Sequence, residues 1–303
     1  MWAAVMMARG WVDRERDNNR GNPQRRTKPA PAIVDDDDTE DIDESEWDEI
    51  ADVICTGRGR LGLAVAVAAR RAGLDVVLTD GPDEAAAPVP VGELAALLGV
   101  TDEETAGYLD ALTADIVPLP TVDPTLVVRV VDGPMHPEPE RGPIETFFGA
   151  ALIDWAKTCV ASPYGLLYTR VADPRISVTY TGVNGPVEAT VLDTIDIDPD
   201  HPVDSLENWL SALEQENDGV LTASGSLQRL VFENGAVVGA VVESASGART
   251  VRARHGVMLT LGDGLAPSGR DTDLDRRESV DVALVSRAGT RFGRLELLTR
   301  AGY

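Results

Sequence analysis

Apolar and polar positions along this chain alternate between two periods, and the switch points mark its elements. Asp52–Thr56 is a near-continuous apolar run closed by glycine, the pattern of a short buried strand. Leu63–Gly73 is rich in alanine and reads as a helix, and Leu74–Thr79 reads as a second strand ending at Asp80. Val91–Val100 and Asp102–Leu112 predict two short helices, with Thr101 and Glu104 placed as a capping box. Among the prolines of 116–143, Leu126–Val131 predicts a strand. Thr146–Cys159 predicts a helix with Phe147, Phe148, Ala151, Leu152, Trp155 and Cys159 on or near one face, an aromatic stripe of the kind that packs a core. Ser177–Tyr180 and Val187–Ile195 predict strands joined by a turn at Gly182–Gly185. A helix capped by Asp204 or Ser205 and running to Glu216 turns Leu206, Trp209, Leu210 and Leu213 inward.

Three strands follow, at Leu227–Glu233, Ala236–Glu243 and Thr250–Ala253. Asn234-Gly235 is a strong hairpin signal between the first two, and Ser246-Gly247 falls in the second turn. Gly256–Leu261 predicts a buried strand, 263–281 a charged loop, and Val282–Ser286 with Arg294–Leu298 a final hairpin. The fold class is α/β.

Composition narrows the function. A formal charge of −24 makes nucleic acid and anionic membrane poor partners and favours solubility. No apolar run reaches the length of a membrane span, and the start, Met1–Gly10, lacks the flanks of a secretion signal. Cytoplasm is the default location. Residues 1–34 carry seven Arg/Lys against three Asp/Glu, and 35–52 carry twelve acids and no base. Neither segment has apolar periodicity, so 1–49 is expected to be a disordered, solvated tail, with Trp47 placed to pin its end to the folded part. Residues 50–303 are expected to form one domain with an insertion around 91–200.

The most informative stretch lies between the first two strands. Gly57-Arg58-Gly59-Arg60-Leu61-Gly62 is a G-x-G-x-x-G turn set between a strand and a helix, and Asp80 falls 23 residues after Gly57. Gly57 makes the tight turn, Gly59 lets backbone approach a pyrophosphate, and Gly62 lets the helix pack against the sheet. The helix N-terminus adds free N–H groups and positive potential for phosphates, and Asp80 is placed to bind ribose hydroxyls. These parts together read as the first βαβ unit of a dinucleotide-binding domain.

That unit, with the run 206–264, resembles FAD-dependent flavoproteins of the fumarate reductase/3-ketosteroid dehydrogenase type. In that family a small antiparallel β-meander leads into a strand ending in an Ala-Thr-Gly-Gly-like turn; here the turn reads Leu259-Thr-Leu-Gly-Asp-Gly264. The two segments cover about 90 residues. The resemblance implies a Rossmann-like, three-layer FAD/NAD(P)-binding domain with that meander. It implies FAD held by Gly57, Gly59, Gly62 and Asp80, with Leu227 near the adenine through its backbone and Thr260 and Gly262 beside the dinucleotide. The implied activity is an oxidoreductase acting on a C–C bond of an apolar, steroid-like or acyl substrate.

The alternative is a degenerate homologue, a pseudoenzyme that has lost FAD and serves as a scaffold or accessory subunit with a protein partner or as a homo-oligomer. Gly81–Pro88 does not match the family's Gly/Ser-rich loop, Arg58 and Arg60 stand where small residues are usual, and Asp263 adds negative charge. Family enzymes are generally longer, with a substrate domain and a second glycine-rich flavin contact that have no counterpart before Tyr303. An NAD(P)-dependent reductase fits the meander less well, and Asp80 disfavours a 2′-phosphate.

Other chemistry is sparse. His136, His201 and His255 lack metal-ligand spacing and read as structural or exposed, so no metal is expected. Cys55 and Cys159 form no CxxC pair or disulfide framework. There is no G-x-S-x-G elbow and no P-loop. Ser162–Arg170 groups Tyr164, Tyr168 and Arg170 and reads as a packed turn after a helix. No catalytic residue is assigned.

Overall fold

The computed structural model describes residues 47–56, 60–79, 94–116, 120–121, 123, 125–135, 147–171, 178–182, 185–217, 225–261, 278–287 and 289–300. The fold is mixed α/β. The elements are β1 (Glu49–Thr56), α1 (Arg60–Arg71), β2 (Val76–Thr79), α2 (Leu94–Leu97), α3 (Glu103–Thr113), β3 (Val128–Met135), α4 (Phe147–Ala161) and β4 (Gly165–Tyr168). They continue with β5 (Val178–Gly182), β6 (Gly185–Ile197), α5 (Pro202–Glu216), β7 (Ser226–Glu233), β8 (Ala236–Ser244), β9 (Gly247–Thr260), β10 (Glu278–Ser286) and β11 (Phe292–Arg300).

All these strands join one mixed sheet. At one end β2, β1 and β9 run parallel, with β1 in the middle. At the other end the pairings close on themselves: β10 pairs β6, β6 pairs β5, β5 pairs β3, β3 pairs β11, and β11 returns to β10. β4 is the joint, antiparallel to both β11 and β9. The meander β7–β8 hangs from the first half of β9.

Side-chain alternation along the strands feeds two cores. Val53 and Cys55 of β1, Met258 of β9, Leu166 of β4 and Leu295 and Leu297 of β11 share one core with Leu61, Val65 and Ala69 of α1 and Leu206, Leu210 and Leu213 of α5. Ile54, Val257, Leu259, Leu167, Phe292 and Leu298 join the other, with Trp155 and Cys159 of α4, Leu94 of α2 and Leu109 of α3. The alanine-rich α1 is buried along nearly all of Leu61–Ala69, because both the sheet and α5 cover it. Its small side chains permit that double approach.

Several sequence expectations need correcting. The strands expected at Thr250–Ala253 and Gly256–Leu261 are one strand, β9. Its pairing with β1 shifts register between Ala51 and Val53, where Gly256 takes φ +135°. α3 is capped by Asp102, not by Thr101: the Asp102 carboxylate accepts the Thr105 N–H at 2.9 Å and its hydroxyl at 2.8 Å. α5 begins at Pro202 with His201 as N-cap, ahead of Asp204 and Ser205. Proline needs no partner for an N–H there. Ser162–Arg170 contains β4 in place of a plain turn.

Other expectations are met. Asn234 and Gly235 adopt positive φ, 49° and 78°, in the β7–β8 turn. β10 and β11 pair antiparallel. Trp47 lies on β8 and β9, with the Arg252 guanidinium 5.2 Å from its ring centre. The expected loops at 81–90 and 263–277 and the tail 1–46 lie outside the described residues.

Two substitutions test these contacts. A Cβ on Gly239 would stand 2.2 Å from the Val251 carbonyl oxygen and 2.8 Å from the Trp47 ring. Backbone blocks it, so Gly239→Ala is expected to destabilise by about 1–3 kcal/mol in denaturant unfolding. Removing the α3 cap with Asp102→Ala is expected to cost about 1 kcal/mol in the same assay.

Candidate dinucleotide crevice

In open sheets with parallel strands, ligands bind outside the carboxyl ends at the point where connections leave in opposite directions. β1 is that point here: the chain leaves it through α1 to β2 on one side, and β9 returns to it on the other. The three strands end in threonines. Thr56 pairs Thr79, Thr56 also pairs Leu259, and Thr260 follows; all three threonines are buried. The Thr260 hydroxyl donates to the Thr56 carbonyl oxygen at 3.4 Å, tying β9 to β1 at their ends.

α1 starts at Arg60, four residues after Thr56, and carries no acid in its first turn. Its positive end therefore meets the carboxyl edge without a competing charge among the described residues. Gly62 is buried in that first turn. Gly57, Gly59, Asp80 and Gly262 lie outside the described residues. Their chain neighbours are placed: Gly57 follows β1, Gly59 precedes α1, Asp80 follows β2 and Gly262 follows Leu261. Leu227 sits elsewhere in register. It pairs Val242, which pairs Arg249, eleven positions before Thr260 on β9.

The groups nearby are poor nucleophiles. Burial pushes the Cys55 thiol up to about 12. Burial likewise raises Cys159 and the Tyr168 phenol well above their ordinary ranges. Tyr164, just before β4, and Tyr168, its last residue, are side chains of the same core, and Arg170 donates to the Arg254 carbonyl at 3.2 Å. That segment packs, as read from the sequence. No group of three metal-ligating side chains occurs among the described residues. His201 is exposed and His255 half-buried; His136 lies outside the described residues. No helix among the described residues is long and apolar enough to cross a membrane.

One cluster escaped the sequence reading. Glu296 of β11 is fully buried, and Arg129 of β3 and Arg294 of β11 both bond to it. Alternation in Arg294–Leu298 reads as a strand with one wet face; α4 covers that face.

No family model and no curated protein matches this chain. Two solved structures it is similar to are a 3-ketosteroid-Δ4-(5α)-dehydrogenase from Rhodococcus jostii RHA1, in complex with 4-androstene-3,17-dione, and a flavocytochrome c3 fumarate reductase in an open conformation. The first is 21% identical over 72% of this chain and 47% of its own length, with a TM-score of 0.27. The second is 18% identical over 69% of this chain and 33% of its own, with a TM-score of 0.26. This chain thus spans half or less of either protein. TM-scores of that size do not establish a shared fold.

Beside the β1–β9 register shift, Asp52 accepts Arg254 Nη1 at 3.1 Å and the Asp75 N–H at 2.9 Å, with His255 Nε2 at 4.0 Å. Burial holds the His255 ring below the usual histidine range, with Asp52 opposing and Arg170 and Arg254 assisting. A depressed histidine leaves stability intact above the unfolded value, about 6.5, and removes it as pH falls below that value. The melting temperature is therefore expected to drop on acidification from about pH 7 to 5.5, and to drop less in His255→Gln, followed by calorimetry.

Proposed function

We propose that residues 50–303 carry a Rossmann-like, three-layer FAD-binding unit and that the chain is a flavin-dependent oxidoreductase acting on a C–C bond of an apolar, steroid-like or acyl substrate. One observation carries this reading: a β1–α1–β2 unit with β9 parallel on the far side of β1, whose β1-to-α1 stretch has the sequence G-x-G-x-x-G. The described residues fit a pyrophosphate there. Three small threonines end the strands, Gly62 is buried at the start of α1, and the first turn of α1 has no acid.

In this reading Gly57, Gly59 and Gly62 face the pyrophosphate, Asp80 binds the adenosine ribose, and Thr260 and Gly262 flank the dinucleotide. Leu227 is the least supported of the set, because its register lies back along the meander. Bound FAD would supply hydride transfer at its ring. This chain's part is to bind, orient and exclude water. Fold analogy alone does not give the reaction.

The degenerate-scaffold reading rests on Arg58 and Arg60 around Gly59 and on the unmatched segment Gly81–Pro88. The visible spectrum of purified protein, before and after incubation with FAD and desalting, separates the two. A retained flavin spectrum supports the oxidoreductase; a colourless protein that refuses FAD supports the scaffold. If FAD is retained, Gly59→Trp is expected to abolish retention while far-ultraviolet circular dichroism stays unchanged. Unchanged flavin content in that variant would remove the pyrophosphate assignment.

A further inference from the structure

The face of the sheet that α4 covers carries cations the dinucleotide crevice does not use. Arg129 Nε and Nη2 donate to the two Glu296 carboxylate oxygens at 2.6 and 2.9 Å, and Arg294 Nε donates to the same carboxylate at 2.6 Å. The guanidinium carbons of Arg287 and Arg294 lie 5.5 and 5.3 Å from the centre of the Trp155 ring. That ring is fixed: its indole N–H donates to the Phe292 carbonyl at 2.9 Å.

Arg129 and Arg294 meet the Glu296 carboxylate, while Arg287 stacks on Trp155 and reaches no acid among the described residues. Asp123, whose carboxylate accepts the Thr125 N–H at 3.0 Å, adds a second negative charge within electrostatic reach of Arg294 but makes no ion pair with it. The Arg287 Nε is buried and makes no hydrogen bond among the described residues. Leaving a buried donor unpaired is costly, and more so when it is charged. The arginines of β9, by contrast, each pair with an acid: Arg249 with Glu49, Arg252 with Glu233 and Arg254 with Asp52. Meanwhile Arg294 spends only Nε on Glu296, and its terminal nitrogens bond no other described residue. Its side chain keeps 14% exposure.

We propose that Arg287 and Arg294, set on the Trp155 ring, form a binding site for a small oxyanion, the carboxylate or phosphate group of a ligand. Guanidinium forks match such groups bidentately, and cation–π contact with the fixed Trp155 ring restrains both of them. Arg129 and Glu296 act as a brace: the buried carboxylate holds Arg294 and leaves its outer edge for the ligand. Arg294 pairs Gly165, whose carbonyl accepts the Leu261 N–H, so the site lies at the same end of the sheet as Thr260. Two strand spacings, about 10 Å, separate β11 from β9. The proposal stands without the dinucleotide reading.

Thermal unfolding of the full chain, titrated with inorganic phosphate and separately with acetate at constant ionic strength held by sodium chloride, tests it. The expected result is a saturable rise in melting temperature with at least one of the two anions. Arg287→Gln removes a charge-assisted donor set and should raise the half-saturating concentration about tenfold or more. If that variant fails to fold, Arg287→Lys is read in its place; it keeps the charge, loses the fork, and should weaken binding. A wild-type melting temperature that shows no saturable rise with either anion overturns the proposal. So does a folded variant that titrates like wild type.

Discussion

β9 is the strand on which the other parts depend. A buried strand must satisfy backbone N–H and carbonyl groups on both edges, since water does not reach them. β9 does so with three neighbours in succession: β8 along its first half, β1 from Val251 to Leu259, and β4 at Met258–Thr260. It therefore fixes the meander, the parallel strands and the closed ring of strands in one frame. On the edge opposite β1, a residue just past β4 carries the β4–β9 ladder one position further. The Thr169 hydroxyl accepts the Val257 N–H at 2.9 Å, and the Thr169 N–H donates to the Val257 carbonyl at 3.0 Å. Gly256 leaves room for that hydroxyl, which a Cβ would meet at 3.2 Å.

Charge is organised at two depths. Along the outer half of β9, arginines meet acids from β1 and β7, and such exposed pairs contribute little each. Glu296 is different. It is fully buried, and a buried carboxylate is tolerable only with counter-charges and hydrogen bonds in good geometry. Arg129 brings β3 to it and Arg294 holds it from its own strand, so the pair that stabilises the charge also stitches β3 to β11. The carboxyl edge of β1 and the arginine cluster lie at one end of the sheet but on different supports. One rests on backbone and small residues, the other on planar cations over an indole.

Much of the fold was legible in the sequence because it is local. The β1–α1–β2 unit, the Asn234-Gly235 hairpin and the final hairpin each follow from a few adjacent residues whose backbone preferences agree with the hydrophobic period. β4 was not legible. Gly165–Tyr168 is four residues long, too short for a periodicity, and becomes a strand only because β11 and β9 offer edges on both sides. The caps were misread for a related reason. Thr101 and Asp102 both suit an N-cap, and Asp102 is the one bonded to Thr105, whose hydroxyl also accepts the Leu230 N–H of β7 at 2.9 Å. A contact 125 residues away reinforces a choice between neighbours.

The sequence by itself determined the parallel β1–α1–β2 unit, the meander's turns, and the docking of Trp47 on β8 and β9. The unit and the turns depend on interactions within one or two turns of chain, where side-chain size and backbone freedom decide the outcome. The tertiary structure alone decided that β9 is one strand, that the strands from β3 to β11 close on themselves, and that Glu296 is dry. Those outcomes depend on which surface covers which. An alternating strand such as Arg294–Leu298 has the same pattern whether its polar face meets water or α4, and the choice is made by packing between segments far apart in sequence.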